Sequence, residues 1–136
     1  VVWLAAGAID ATAWLLGVAV GLPAAAVLTV NNHRDRGQDK ASGRRTLAIL
    51  LGSQRTAFLY TAELAAAALL AGVALWPFSR LSAAIAIGGL VAALARGHRV
   101  AHTPISRAMN RQLVATVRFQ ISLALAIVCL LMIGPR

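Results

Sequence analysis

The chain has 136 residues, 60% of them hydrophobic, with a mean hydropathy of +0.77. Only 12% are charged, against about 25% in an average soluble domain, which excludes a soluble core under a charged shell and a disordered chain alike. Thirteen Lys and Arg face four acids, a net charge of +9, so where the cations fall decides between nucleic acid, membrane topology and polyanion binding.

Residue 1 is valine and the first methionine is Met109, so the sequence is expected to continue upstream. Val1–Ile9 lacks the basic leader of a signal peptide and reads as the tail of an earlier span. Asp10 is placed to cap the helix that follows. Ala11 to His33 is uncharged and long enough to cross a bilayer. Within it, Gly17 and Gly21 form a GxxxG expected to pack closely against another helix, and Pro23 is expected to kink the span. Thr56 to Ser79 carries one charge, Glu63. Trp76-Pro77-Phe78 marks an interface before the next apolar run, Leu81 to Ala95, where Gly88-Gly89 is expected to pack. Phe119 to Pro135 is the last such run, lies between Arg118 and Arg136, and contains the lone cysteine, Cys129, which has no intrachain partner. The expected fold is all-α and polytopic, with four membrane spans near 11–31, 56–76, 79–96 and 117–134 and loops at 32–55 and 97–116. No internal repeat is evident.

The cations sort by loop. Arg34, Arg36, Lys40, Arg44, Arg45 and Arg55 fall in the first long loop, and Arg96, Arg99, Arg107, Arg111 and Arg118 border or occupy the second. The hairpin between the middle spans has only Arg80 and the C-terminus only Arg136. That alternation predicts both long loops on the cytoplasmic side of the plasma (inner) membrane and removes nucleic acid as a partner. The loop cations serve topology alone or, for some of them, phosphate binding.

Two of the four acids, Asp35 and Asp39, lie four apart in the segment Asn31 to Lys40, directly after the first span. If the helix continues past the membrane, both carboxylates share one face. Paired carboxylates repel unless a cation neutralises them, and Mg²⁺ typically takes one or two carboxylates plus substrate phosphate. Asn31 and Asn32 add neutral oxygens, and Arg34, Arg44 and Arg45 suit the rest of a polyanion. A solvated juxtamembrane helix is the other reading of the same spacing.

The longer string NNHRDRGQDKASGRRTLAILLG resembles the second aspartate-rich motif of the UbiA superfamily of intramembrane prenyltransferases. It is most similar to the 1,4-dihydroxy-2-naphthoate polyprenyltransferase branch, whose pattern is close to NNxRDxxxDxxAGKRTLAVxLG. Asn31, Asn32, Arg34, Asp35, Asp39, Gly43, Arg45, Thr46, Leu47, Ala48, Leu51 and Gly52 fit that pattern, while Arg44 replaces its lysine and Ser42 its alanine. Asn110, Leu113, Ala115, Thr116 and Gln120 echo a second segment of the branch, and the resemblance extends over residues 11–134.

The resemblance implies a bundle of about nine membrane helices, of which this chain supplies the C-terminal part. It implies a first aspartate motif before Val1, so that this chain alone holds half the site and does not catalyse. It implies Mg²⁺-dependent transfer of a polyprenyl group from polyprenyl diphosphate to dihydroxynaphthoate in menaquinone biosynthesis, within a membrane lipid environment. Asp35 and Asp39 hold an ion with Asn31 or Asn32, and Arg45, then Arg34 and Arg44, meet the diphosphate. Glu63 is read as a cavity residue or a helix–helix hydrogen-bonding group. Gln120, with Arg118, is read as an interfacial anchor or a wall of the acceptor pocket. His98 and His102 have metal-ligand spacing but no acid or cysteine near them, and are not expected to bind one. Another aromatic prenyltransferase of the superfamily and a non-catalytic membrane subunit or remnant are the alternatives.

Overall fold

A computed structural model describes residues 10–133; residues 1–9 and 134–136 lie outside them, as do the expectations attached to them. The expected all-α class is observed. Four long helices follow one another, α1 (Ala11–Ala41), α2 (Leu47–Leu75), α3 (Ser82–His102) and α4 (Asn110–Ile133), with a short 3₁₀ turn at Arg107–Met109 before α4. All four are long and apolar enough to cross a membrane.

α1 starts where Asp10 caps it, its Oδ1 accepting from the Ala13 amide at 2.7 Å. The helix is continuous through Pro23, which is buried against the rest of the bundle. The backbone breaks instead at Gly52, whose φ of +74° interrupts α2 after its first turn. An L-residue adopts that conformation at a cost, so glycine is required there. The Gly52 carbonyl accepts from Thr56 Oγ1 at 2.6 Å.

Residues 32–55, expected as a loop, are mostly helical: α1 runs on to Ala41, α2 begins at Leu47, and only a tight turn separates them. Likewise α3 continues to His102, leaving a shorter connection before α4 than the expected 97–116. Charge patterning locates where a helix leaves the hydrocarbon, not where it ends, and charged residues in water sustain a helix as well as apolar ones in lipid.

α2 is the centre of the bundle. It buries Ala57, Tyr60, Leu64, Ala67, Ala68, Ala71 and Leu75, packing along α1 on one side and α3 on the other. The α2–α3 contact is close because small residues meet along it. A Cβ on Gly72 would come within 2.6 Å of Ala86 Cβ, one on Gly89 would run into Ala68, and one on Gly97 into the Thr61 side chain. Gly17 and Gly21, by contrast, have open space where a Cβ would go, as does Gly88. Among the described residues the GxxxG pattern is therefore not the face on which α1 packs. That face is Ala19, Pro23, Ala26 and Val30, on the opposite side of the helix.

Between α2 and α3, Arg80 lies over the Trp76 ring at 4.4 Å, in the turn expected at an interface. α4 packs mainly on α1 through a stripe of Thr116, Phe119, Leu123, Ile127 and Leu130. The outer surface is strongly apolar, with Trp14, Leu28, Phe58, Val73, Ile87, Leu125 and Met132 exposed, as a lipid-facing bundle requires.

Candidate active site

The polar residues of the first motif sit on the last turns of α1, beyond its uncharged stretch. Because the helix persists to Ala41, Asp35 and Asp39 do share a face. Each carboxylate is held by an arginine. Arg34 Nε and Nη2 donate to the two oxygens of Asp35, both at 2.7 Å. Adjacent residues on a helix do not face each other, so this bidentate pair requires the long Arg34 side chain to fold around the helix surface. Two further acceptors fix it: Arg34 Nη2 donates to Asn31 Oδ1 at 2.9 Å, and Nη1 donates to Asn110 Oδ1 at 2.8 Å. The Arg34 hydrogen bond outweighs partial burial and holds the Asp35 carboxyl below the usual carboxylate range.

Asp39 is reached by a different route. α1 ends in a Schellman motif: the Gly43 amide donates to the Lys40 carbonyl at 3.2 Å and the Arg44 amide to the Asp39 carbonyl at 2.9 Å. Gly43, with φ +76°, makes that reversal possible. The turn brings Arg44 back over the helix end, where its Nη1 lies 3.1 Å from Asp39 Oδ1. Asp39 is buried while Arg44 is exposed. The string of Asp, Gly and Arg in the sequence is thus one local structure. Arg45, next in the turn, is exposed, and among the described residues its guanidinium is not paired with a carboxylate.

The two asparagines part company. Asn31 joins the Arg34–Asp35 cluster, whereas Asn32, a hundred degrees around the helix, lines a cavity between α1 and α2. Glu63 lines the same cavity and accepts from Thr29 Oγ1 at 3.1 Å. The cavity wall comes from α1 and α2 alone, so Gln120, half-buried on α4, is not part of it. His33, beside the motif, is buried with its Nε2 3.5 Å from Ser53 Oγ.

Three relationships were not expected from the sequence. Asn110 belongs to the second matched segment but was given no role there, and it meets Arg34. Thr116, from the same segment, accepts from the buried Tyr60 hydroxyl at 2.8 Å, because its own proton goes to the Gln112 carbonyl at 2.7 Å. Arg96, grouped with the loop cations, donates to the Ala115 carbonyl at 3.3 Å and lies 5.2 Å from the Phe119 ring, at a groove of about 420 Å³ between α3 and α4. The signal available for the first two was the matched segment itself, since residues fixed by one site recur together.

Among the described residues no three His, Cys, Asp or Glu side chains gather as a metal cluster. The donors at Asp35, Asp39 and Asn31 are all oxygens, the set a hard divalent cation takes, and two carboxylates leave its remaining positions to phosphate oxygens and water. Each carboxylate is neutralised by an arginine that could equally meet a phosphate. The donor types fit Mg²⁺ with a diphosphate once Arg34, which occupies both Asp35 oxygens and Asn31 Oδ1, and Arg44 turn from these oxygens to the phosphate.

Comparison with known proteins is consistent with this geometry. No curated protein and no solved structure matches the chain. The profile described as the UbiA prenyltransferase family matches residues 1–123, which include the whole aspartate motif, the Glu63 cavity and Asn110. The chain belongs to the UbiA prenyltransferase family, an integral-membrane family whose activity is prenyl transfer.

Proposed function

We propose that the chain takes part in Mg²⁺-dependent transfer of a polyprenyl group from polyprenyl diphosphate to 1,4-dihydroxy-2-naphthoate, with Asp35 and Asp39 facing the cytoplasm. The observation that carries this reading is the arginine-neutralised pair Asp35 and Asp39 on the helical end of α1, tied by Arg34 to Asn110 of the second matched segment. The paired asparagines and the Arg44-Arg45-Thr46 string favour the naphthoate acceptor over hydroxybenzoate and other members of the superfamily. The density of cations on the two polar ends favours a cytoplasmic face.

In this reading Asp35, Asp39 and Asn31 hold Mg²⁺, which supplies charge neutralisation for the departing diphosphate. Arg34 and Arg44 turn from their carboxylates to the phosphate oxygens, and Arg45, already exposed in the turn, adds a third cation. These positive groups stand where negative charge develops as the allylic C–O bond breaks. The alanine- and leucine-rich helices keep water from the allylic carbon. The aromatic ring then attacks that carbon and loses its carboxylate.

The experiment is an acceptor comparison on the full-length gene product with Mg²⁺ and a polyprenyl diphosphate. Prenylated naphthoquinol from dihydroxynaphthoate, with no product from 4-hydroxybenzoate, supports the assignment. The reverse preference moves the chain to another branch of the family, and no prenylation of any aromatic acid removes the reading.

A further inference from the structure

The groove of about 420 Å³ between α3 and α4 is lined by small residues such as Ala84, Gly88, Ala92 and Ala126. At Ile85 and Ala126 it adjoins a second space of about 340 Å³, which reaches Ser79 and Ile133. Ile87, Val91, Ile121 and Leu125 on the same two helices are exposed, so the groove borders the lipid-facing surface. No residue of the aspartate motif lines it.

Arg96 stands at one end. That end of the bundle also carries the aspartate motif, because the Arg34–Asn110 bond joins the end of α1 to the start of α4. The uncharged runs of α3 and α4 stop at Arg96 and Arg118, so the two cations mark one membrane edge. An arginine at such an edge ordinarily extends its charge into water. Arg96 instead turns back along α3. Its Nη1 donates to the Ala92 carbonyl and its Nε to the Ala115 carbonyl, both at 3.3 Å. These bonds are long, and they leave most of the five N–H donors of the guanidinium free. Among the described residues no carboxylate pairs with it. Phe119, itself in the groove wall, lies 5.2 Å from the charge and holds it at the mouth of the groove.

An occupant must put an anion beside Arg96 and an apolar chain along the groove. A free phosphate meets the cation but leaves the apolar length empty. Polyprenyl diphosphate would bring a head that needs a divalent ion to a wall with no carboxylate to hold one. Ala84 to Arg96 is about 18 Å along α3, against about 15 Å for the hydrocarbon of one leaflet. One lipid tail therefore fits, with its phosphate at the depth of the guanidinium. Basic pockets between membrane helices suit lipid head groups. Arg118, one turn before the groove residue Ser122, and Arg99, three residues past Arg96, add charge at the same edge. We infer that the groove holds one tail of an anionic glycerophospholipid of the surrounding bilayer, its phosphate bound by Arg96. That lipid joins α3 to α4, two helices that pack little on each other directly. The inference does not depend on the prenyl-transfer reading.

The test uses the full-length gene product in detergent, titrated with palmitoyl-oleoyl phosphatidylglycerol or with the phosphatidylcholine of the same chains. Native mass spectrometry counts the lipid retained. Wild type is expected to hold one phosphatidylglycerol at least about tenfold more tightly than phosphatidylcholine, through a charge-assisted hydrogen bond. Arg96→Gln removes that preference, whereas Arg55→Gln, a cation on α2 outside the groove, leaves it unchanged. Gly88→Leu puts bulk into the groove, where a Cβ meets open space, and should weaken phosphatidylglycerol about tenfold with Arg96 intact. This variant decides the question if Arg96→Gln fails to fold. Equal retention of the two lipids by wild type overturns the inference. A preference that survives Arg96→Gln, or that survives Gly88→Leu, overturns it too and marks general attraction to a basic face. One-for-one displacement of the phosphatidylglycerol by polyprenyl diphosphate without Mg²⁺ would also overturn it, since the groove would then belong to that substrate.

Discussion

Arg34 Nη1 donates to Asn110 Oδ1 at 2.8 Å, joining the end of α1 to the start of α4 across 76 residues of sequence. The same guanidinium holds both oxygens of Asp35, so Asn110 sets where Arg34, and through it Asp35, can lie. Asn110→Ala is expected to release one end of the guanidinium and cost about 1 kcal/mol of its positioning, about fivefold in kcat/KM. The loss should fall on the KM for polyprenyl diphosphate, leaving that for the acceptor unchanged.

Asp35 offers a pH test of the same contact. Its carboxyl is depressed, so the stabilisation from the Arg34 link is complete above the ordinary carboxylate pKa of about 4 and disappears as pH falls through the lowered value. Arg34→Gln is expected to bring the Asp35 titration back up toward that ordinary value. Carbon-13 NMR of labelled aspartate in nanodiscs reads this directly, and an Asp35 titration that Arg34→Gln leaves in place would show that the pair does not persist in solution.

The two positive-φ glycines should differ from glycines that merely occupy helices. Gly43→Ala and Gly52→Ala each force a positive φ on an L-residue, at about 1–3 kcal/mol. Gly43→Ala should in addition loosen the return of Arg44 to Asp39. Gly43→Asn should be milder, since asparagine tolerates that conformation. Thermal unfolding in detergent, in parallel with the diphosphate KM, separates the two effects.

Packing glycines give a third contrast. Gly97→Ala pushes a methyl into Thr61 and is expected to destabilise by about 1–3 kcal/mol, whereas Gly17→Ala meets open space and should be neutral or slightly stabilising. A comparable loss from both would mean that the GxxxG face of α1 packs after all.

The four helices, their apolar surfaces and the placing of Asp35 and Asp39 on one helix face were legible in the sequence because hydropathy and helical period act locally. The helix boundaries were less so, since charge marks the membrane edge and not the end of hydrogen bonding; hence the extension of α1 to Ala41. Gly17 and Gly21 meet no neighbour among the described residues, because small residues permit close approach without saying which neighbour arrives; the close contacts lie at Gly72, Gly89 and Gly97. Asn31 and Asn32 looked like a pair in sequence but point to different sides of one helix. The Arg34–Asn110 and Tyr60–Thr116 bonds depend on how α4 docks, a tertiary fact that local pattern does not contain.

The central claim is that Asp35 and Asp39 hold the ion that meets the diphosphate. The most direct measurement is prenyl transfer by the full-length gene product carrying Asp35→Asn or Asp39→Asn, beside Mn²⁺ binding followed by electron paramagnetic resonance in the presence of diphosphate. Either substitution is expected to lower activity by at least about a hundredfold and to weaken diphosphate-dependent Mn²⁺ binding, since each removes a charged ligand oxygen. Full activity and unchanged Mn²⁺ binding in both variants would contradict it.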